Sequence, residues 1–162
     1  RYHREQEQFV LQHGYVDNAV GQRRRLPLPP EPERSDKFAY KVFMRFKAHV
    51  INQSINYPIQ SLASYVTGSA LIDLERALLK QYKWSYVDYH TALVQKQWPQ
   101  MPLLCIEVHD DLVLDIPKGM EQKTKEVTHD IMESVPTLRK LLPAFDTPLS
   151  VETKIGPYWG IK

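Results

Sequence analysis

The chain has a single cysteine, Cys105, among 162 residues, so no internal disulfide can form. Packing and hydrogen bonds must hold the fold. Cys105 lies in an apolar run, which predicts a buried, inert thiol. No stretch approaches the roughly 18 apolar residues of a membrane span, and no signal-peptide pattern is visible. The expected setting is a reducing cytoplasm, with no membrane partner. Charge of one sign is also lacking in excess: 21 Lys and Arg face 19 Asp and Glu, a formal net charge of +2. The average therefore names no partner. There are no internal repeats, and the first residue is Arg1 rather than methionine, as expected of a processed product or a part of something longer.

What is present is an ordinary globular composition, 43% hydrophobic and 25% charged, enough for one domain with a real core. The charge is unevenly placed. Arg23, Arg24 and Arg25 are consecutive, and Arg34, Lys37, Lys41, Arg45 and Lys47 follow. A locally basic first third points to polyanions; a solvated surface is the alternative.

Arg1 to His13 is polar and helix-compatible, and Gly14 stops it. Gly14 to Pro27 reads as a short hairpin or irregular ribbon. The run PLPPEPERSD must be loop, because proline lacks the amide donor and restricts the residue before it. Ser35 or Asp36 can then cap a helix from Lys37 to about Asn56, with Phe38, Val42, Phe46, Val50 and Ile55 at helical spacing. Pro58 predicts a helix start or a kink. Ile59, Leu62, Val66, Ala70, Leu74 and Leu78 form the clearest helical stripe. Between Tyr82 and Trp98 the aromatics Trp84, Tyr86, Tyr89 and Trp98 suit either core packing or an interface. Leu103 to Val108 and Leu112 to Ile116 read as strands, and a helix follows with Met120, Val127, Ile131 and Val135 inward. Pro148 to Lys154 alternates as a last strand before GPYWGIK. Helices and antiparallel strands are segregated, which argues for α+β: long helices packed on a small antiparallel sheet.

Two stretches carry chemistry. In LLCIEVHDDLVLDIP, His109, Asp110 and Asp111 sit between apolar runs. Adjacent carboxylates repel and lose free energy on desolvation. Water at an exposed turn or a divalent cation can offset that cost. A strand-borne carboxylate is rigidly aimed, which suits a metal that must sit close to a phosphate. In INYPIQSLAS, Asn56, Gln60 and Ser64 lie four apart, on one helix face if the kink at Pro58 is mild. Their amides and hydroxyl offer donors, and the minor groove of DNA presents acceptors at every base pair. Polar residues facing water are the alternative.

The series GYVDNAVGQRRRLP, NYPIQS, VHDDLVLDIP and PLSVETKIGPYW, in this order, resembles the C-terminal part of family A DNA polymerases, the polymerase I and phage replicase group. The likeness covers nearly the whole chain, and GPYWGIK is nearest the phage-type members. It implies that Asp110 binds the catalytic metals and that Asp111 is the acid following it, where glutamate is usual. It implies that His109 lies near the primer 3′ end, and that Asn56 and Gln60 touch the primer–template minor groove. Arg23, Arg24 and Arg25 become DNA-binding candidates on the basic ribbon. Asn52 stands where many members carry arginine, and Ser61 where glycine is commoner.

The resemblance also defines what is missing. Family A catalysis uses a second metal-binding aspartate and a fingers helix that holds the nucleotide, and neither occurs here; Arg1 falls just after that helix. Residues 1–51 are then the end of the fingers, with the basic ribbon and proline-rich loop, and residues 52–162 the C-terminal palm. The implied cofactor is Mg²⁺ in a two-metal site shared with a separate N-terminal polymerase chain. The implied partners are that chain, primer–template DNA and a deoxynucleoside triphosphate. A phage-encoded chain would work in the bacterial cytoplasm. Two other readings stay open: a non-catalytic DNA-binding or structural subunit of the same fold, and a metal phosphohydrolase using His109 and Asp110, which requires that pair on a helix.

Overall fold

The computed structural model describes residues 1–158; Trp159 to Lys162, which end the GPYWGIK segment, lie outside the described residues. The architecture is α+β, with helices and two separate two-stranded antiparallel sheets. The chain divides into two compact units, Arg1–Ala63 and Ser64–Lys162.

In the first unit, helix α1 spans Tyr2–His13. Gly14 ends it in the left-handed region (φ 70°), which glycine adopts without a Cβ penalty, and its N–H donates to the Val10 carbonyl. Strands β1 (Tyr15–Asp17) and β2 (Arg23–Arg25) pair as the expected ribbon, with Val16 opposite Arg24. Val10, Val16, Leu26 and Val50 form a small apolar core, covered by Leu28 and Tyr57.

Helix α2 runs unbroken from Lys37 to Tyr82. Asp36 rather than Ser35 caps it, its carboxylate accepting from the Ala39 N–H at 2.9 Å. Pro58 lies inside this helix and starts none. A proline removes one rung of the ladder, but long flanking turns keep the rest intact. The helical spacing is present and Val50 is buried as expected, yet elsewhere the first half departs from the expected face. Phe43 and Val50 face inward, whereas Phe38, Val42 and Phe46 are exposed, Phe38 at 79%. Ile59, placed in the apolar stripe by spacing, is also exposed, at 63%. Spacing identifies a face; it does not supply the surface that covers it.

In the second unit, Leu74, Leu78 and Leu79 of α2 meet Tyr89, Met101 and Leu103 in the main core. Helix α3 (Tyr86–Val94) is capped by Ser85, whose hydroxyl oxygen accepts from the Asp88 N–H. The aromatics divide. Tyr89 is buried, Tyr82 and Trp84 pack against the core, and Tyr86 and Trp98 are exposed. Strands β3 (Leu103–Val108) and β4 (Asp111–Asp115) form the second hairpin.

Cys105 is exposed, contrary to expectation. The ladder pairs Leu104 with Leu114 and Ile106 with Val113, so Cys105 is the extra residue of a bulge. A bulge turns the residues beyond it away from the alternation that burial follows.

Helix α4 (Glu121–Ser134) places Val127 and Ile131 against the core as expected, but its fully buried residues are Thr124 and Thr128. The Thr124 hydroxyl donates to the Met120 carbonyl at 2.7 Å, which satisfies it without water. A short helix α5 (Pro136–Leu141) follows at once. Its first turn is capped from α2: buried Asp73 accepts from the Thr137 N–H at 2.8 Å and from its hydroxyl. Arg139 donates to the carbonyls of Ser134 and Phe145, tying the end of α4 to the loop beyond α5. Pro148 to Lys154 forms no strand. Alternation encodes two faces, but a strand also needs a neighbour to complete its ladder, and none pairs with it among the described residues.

Asp73→Ala removes both bonds to Thr137 and leaves a half-buried amide unpaired. The expected loss of stability is about 1.5–3 kcal/mol, the range for hydrogen bonds to a charged group. It should appear as a lower urea midpoint with an unchanged slope.

Candidate functional site

The acidic triplet is built from the base of its hairpin outward. Leu103 is buried in the main core, and Leu104, Leu112 and Leu114 pack against it. Leu103, Leu104 and Leu114 hold the open end, and Leu112, opposite Glu107, carries the contact toward the turn. The pairing of Val108 with Asp111 leaves His109 and Asp110 as a two-residue turn. His109 takes φ 59°, the left-handed region that tight hairpin turns demand. Asp111 is the first residue of β4 rather than part of the turn. All three side chains are exposed. Water therefore satisfies the carboxylates, and the turn presents them at the tip of a braced hairpin. Because His109-Asp110 lies in a β-turn, the helical phosphohydrolase reading is removed.

No group of three or more His, Cys, Asp and Glu side chains able to hold a metal occurs among the described residues. Asp110 and Asp111 offer two hard oxygen donors in an open setting. That donor set fits Mg²⁺, which keeps several waters and takes one or two carboxylates together with phosphate oxygens. It does not make a closed protein cage.

In the first unit, the predicted DNA-binding residues fall in two places. Arg23, Arg24 and Arg25 are exposed on β2. They are not equivalent. Arg23 donates through Nε and a terminal nitrogen to both Asp17 carboxylate oxygens, at 2.8 and 2.9 Å, and its guanidinium lies 3.7 Å from the Tyr15 ring centre. Arg24 and Arg25 have no carboxylate partner among the described residues. The Arg23 hydrogen bond, with its positive charge, holds Asp17 below the ordinary carboxylate range. Asn56 and Gln60 are exposed on α2, one helical turn apart, with Pro58 between them.

Residues that the sequence did not single out connect these parts. Asn18 is buried, 7% exposed, at the ribbon turn. Its Oδ1 accepts from the N–H groups of Val20 and Gln22, and its Nδ2 donates to Gln22 Oε1 and to Ser61 Oγ. Tyr2 of α1 donates its hydroxyl to the Ile55 carbonyl at 3.0 Å. The Asp17-Asn18…Gly21 pattern signals a turn, and an Asx residue closing a turn through its own side chain is a legible cue. Its reach to Ser61 spans 43 residues and has no local signal.

The family model described as DNA polymerase family A matches residues 1–161. DNA polymerase I of Chloroflexus aurantiacus is 28% identical over 98% of this chain and 13% of its own length. DNA polymerase I of Geobacillus stearothermophilus is 29% identical over 94% of this chain and 14% of its own. DNA polymerase theta of Drosophila melanogaster is 26% identical over 94% of this chain and 6% of its own. The chain thus spans a small fraction of the length of these relatives. Among solved structures, the POL domain of Pol1 from M. smegmatis, in complex with DNA primer-template and dNTP, has a similar fold. Its TM-score is 0.58 at 19% identity, over 83% of this chain and 19% of that one.

The ribbon ion pair has a measurable consequence. Asp17 should titrate below the ordinary carboxylate range, so its pairing is complete above the unfolded value and is lost as pH falls through the lowered one. Carbon-detected NMR of the Asp17 carboxyl should show this, and Arg23→Gln should return it to the ordinary range.

Proposed function

The chain belongs to DNA polymerase family A, and from that premise we propose that it forms the end of the fingers (residues 1–51) and the C-terminal palm (residues 52–162) of a DNA-directed DNA polymerase. The observation that carries this reading is the acidic turn. In a chain matched almost end to end by the family, Asp110 and Asp111 stand exposed at the tip of a hairpin whose base is locked into the core.

The reaction is attack of a primer 3′-hydroxyl on the α-phosphate of a deoxynucleoside triphosphate, with loss of pyrophosphate. Asp110 and Asp111 would hold Mg²⁺, which when bound would supply charge stabilisation to the phosphoryl transfer. Asp110, at the turn, is the direct ligand; Asp111, one residue into β4, supports it. His109 sits beside them to contact the primer terminus. Phosphoryl transfer of this kind needs ligands on two ions, and one pair of carboxylates cannot clamp both. An N-terminal polymerase chain therefore supplies the second aspartate and the nucleotide-binding helix.

Arg24 and Arg25 contribute phosphate contacts, which position DNA without reading sequence. Arg23 contributes less, because Asp17 already neutralises it. Asn56 and Gln60 meet the minor groove, whose acceptors occupy near-equivalent places in all correct base pairs.

Primer extension by the complex assembled with the N-terminal polymerase chain tests this. The 162-residue chain alone should give no extension above a mock preparation. In the assembled enzyme, Asp110→Ala should abolish synthesis with the fold intact by circular dichroism, and Asp111→Ala should be milder. Full extension by Asp110→Ala would instead identify a non-catalytic DNA-binding subunit.

Gln60→Ala should cost the matched primer one hydrogen bond, about 0.5–1.5 kcal/mol, and the mismatched primer little. The ratio of matched to mismatched extension should fall by up to about tenfold. The salt dependence of duplex binding should be retained, because phosphate contacts set it. An unchanged ratio would remove the minor-groove assignment.

A further inference from the structure

The Asn56–Gln60 turn is the weakest point of α2. Pro58 has no N–H to donate, so the Ser54 carbonyl loses its partner one turn back. Helices bend most readily at such a position. Yet this turn carries the two side chains whose aim matters most. A free proline turn would let Asn56 and Gln60 sample several directions.

Three bonds converge on it. From α1, the Tyr2 hydroxyl donates to the Ile55 carbonyl at 3.0 Å. From the ribbon turn, Asn18 Nδ2 donates to Ser61 Oγ at 3.0 Å. Ser61 Oγ in turn points its own donor at the Pro58 carbonyl, at 3.5 Å. Asn18 cannot drift, because its Oδ1 is held by two backbone N–H groups and its Nδ2 by Gln22. Asn18 is buried and has few alternative partners in water, whereas the Tyr2 bond is exposed.

We propose that Asn18, Ser61 and Tyr2 are positioning residues that brace the Pro58 turn and so set the direction of Gln60. The proposal rests on the minor-groove reading of Gln60. The same Asn18 closes the turn between Asp17 and Arg23, so the ribbon carrying Arg24 and Arg25 and the turn carrying Gln60 move together. Phosphate contact and groove contact are thereby kept in one register. Ser61 is the informative position, because its hydroxyl accepts the bond from Asn18 while the bonds within the ribbon do not involve it.

The test uses the assembled enzyme with Ser61→Ala, Ser61→Thr, Gln60→Ala and the double variant Ser61→Ala/Gln60→Ala. Matched and mismatched single-nucleotide extension is read beside the thermal midpoint. Alanine is the better helix former, so the midpoint should move little. The matched-to-mismatched ratio should nevertheless fall about threefold in Ser61→Ala, the scale of one weakened hydrogen bond. Ser61→Thr keeps a hydroxyl able to bond the i−3 carbonyl and should retain the ratio. Ser61→Ala should add nothing once Gln60 is alanine, because it acts through Gln60. A ratio unchanged by Ser61→Ala while Gln60→Ala lowers it overturns the brace and leaves the minor-groove reading standing. Additive losses in the double variant also overturn it. A ratio unchanged by Gln60→Ala overturns both. If Ser61→Ala lowers the midpoint markedly, Tyr2→Phe decides: it removes the bond on the other side of the proline, and its ratio must fall for the brace to hold.

Discussion

Two neighbouring carboxylates cannot be buried without a compensating charge, and the second unit is organised around that constraint. The hairpin resolves it by polarity along its length. Leu103, Leu104 and Leu114 pack in the main core at the open end, Leu112 extends that contact along β4, and Asp110 and Asp111 are exposed at the other end. The apolar end holds the strands, and the polar end is open to solvent. The bulge at Cys105 marks this passage on β3, where Cys105, Ile106 and Glu107 are exposed. The acidic turn is thus carried on a hairpin braced at its base.

The first unit solves a different problem. Its ribbon concentrates three arginines on a three-residue strand, a self-repelling arrangement. Asp17 pairs with Arg23 across the ladder, and the Tyr15 ring lies against the same guanidinium. The remaining two cations stay available. Behind the ribbon, Asn18 turns the chain and reaches α2, adding a polar link to the small apolar core that Val16 and Val50 share. Polar networks of this kind hold geometry only when each member is satisfied, and here every polar atom of the Asn18 side chain has a partner.

The exposed apolar residues have a common character. Phe38, Val42 and Phe46 follow one another at single-turn spacing on α2, and Ile106 stands on the hairpin beyond the bulge. Each obeys the periodicity of its element, yet none is covered by the residues described. Periodicity records which side chains were shaped for burial; the covering surface is a separate matter. For a chain that spans about an eighth of the length of its bacterial relatives, that distinction governs how its surface is read.

Local rules were enough for much of this protein. The Gly14 stop, the ribbon, the Asp36 cap and the β3–β4 hairpin follow from interactions within a few residues, where side-chain and backbone preferences decide. The motif order carried family membership, and the family match spans residues 1–161. Tertiary structure decided the rest. Whether Pro58 ends a helix or sits within one is decided by the long helical turns on both sides of it, which a local reading of proline does not include. Whether Cys105 is buried depends on a register shift that composition does not encode. Whether Pro148 to Lys154 becomes a strand depends on a neighbour, since an alternating sequence specifies faces but a ladder needs two chains of donors and acceptors.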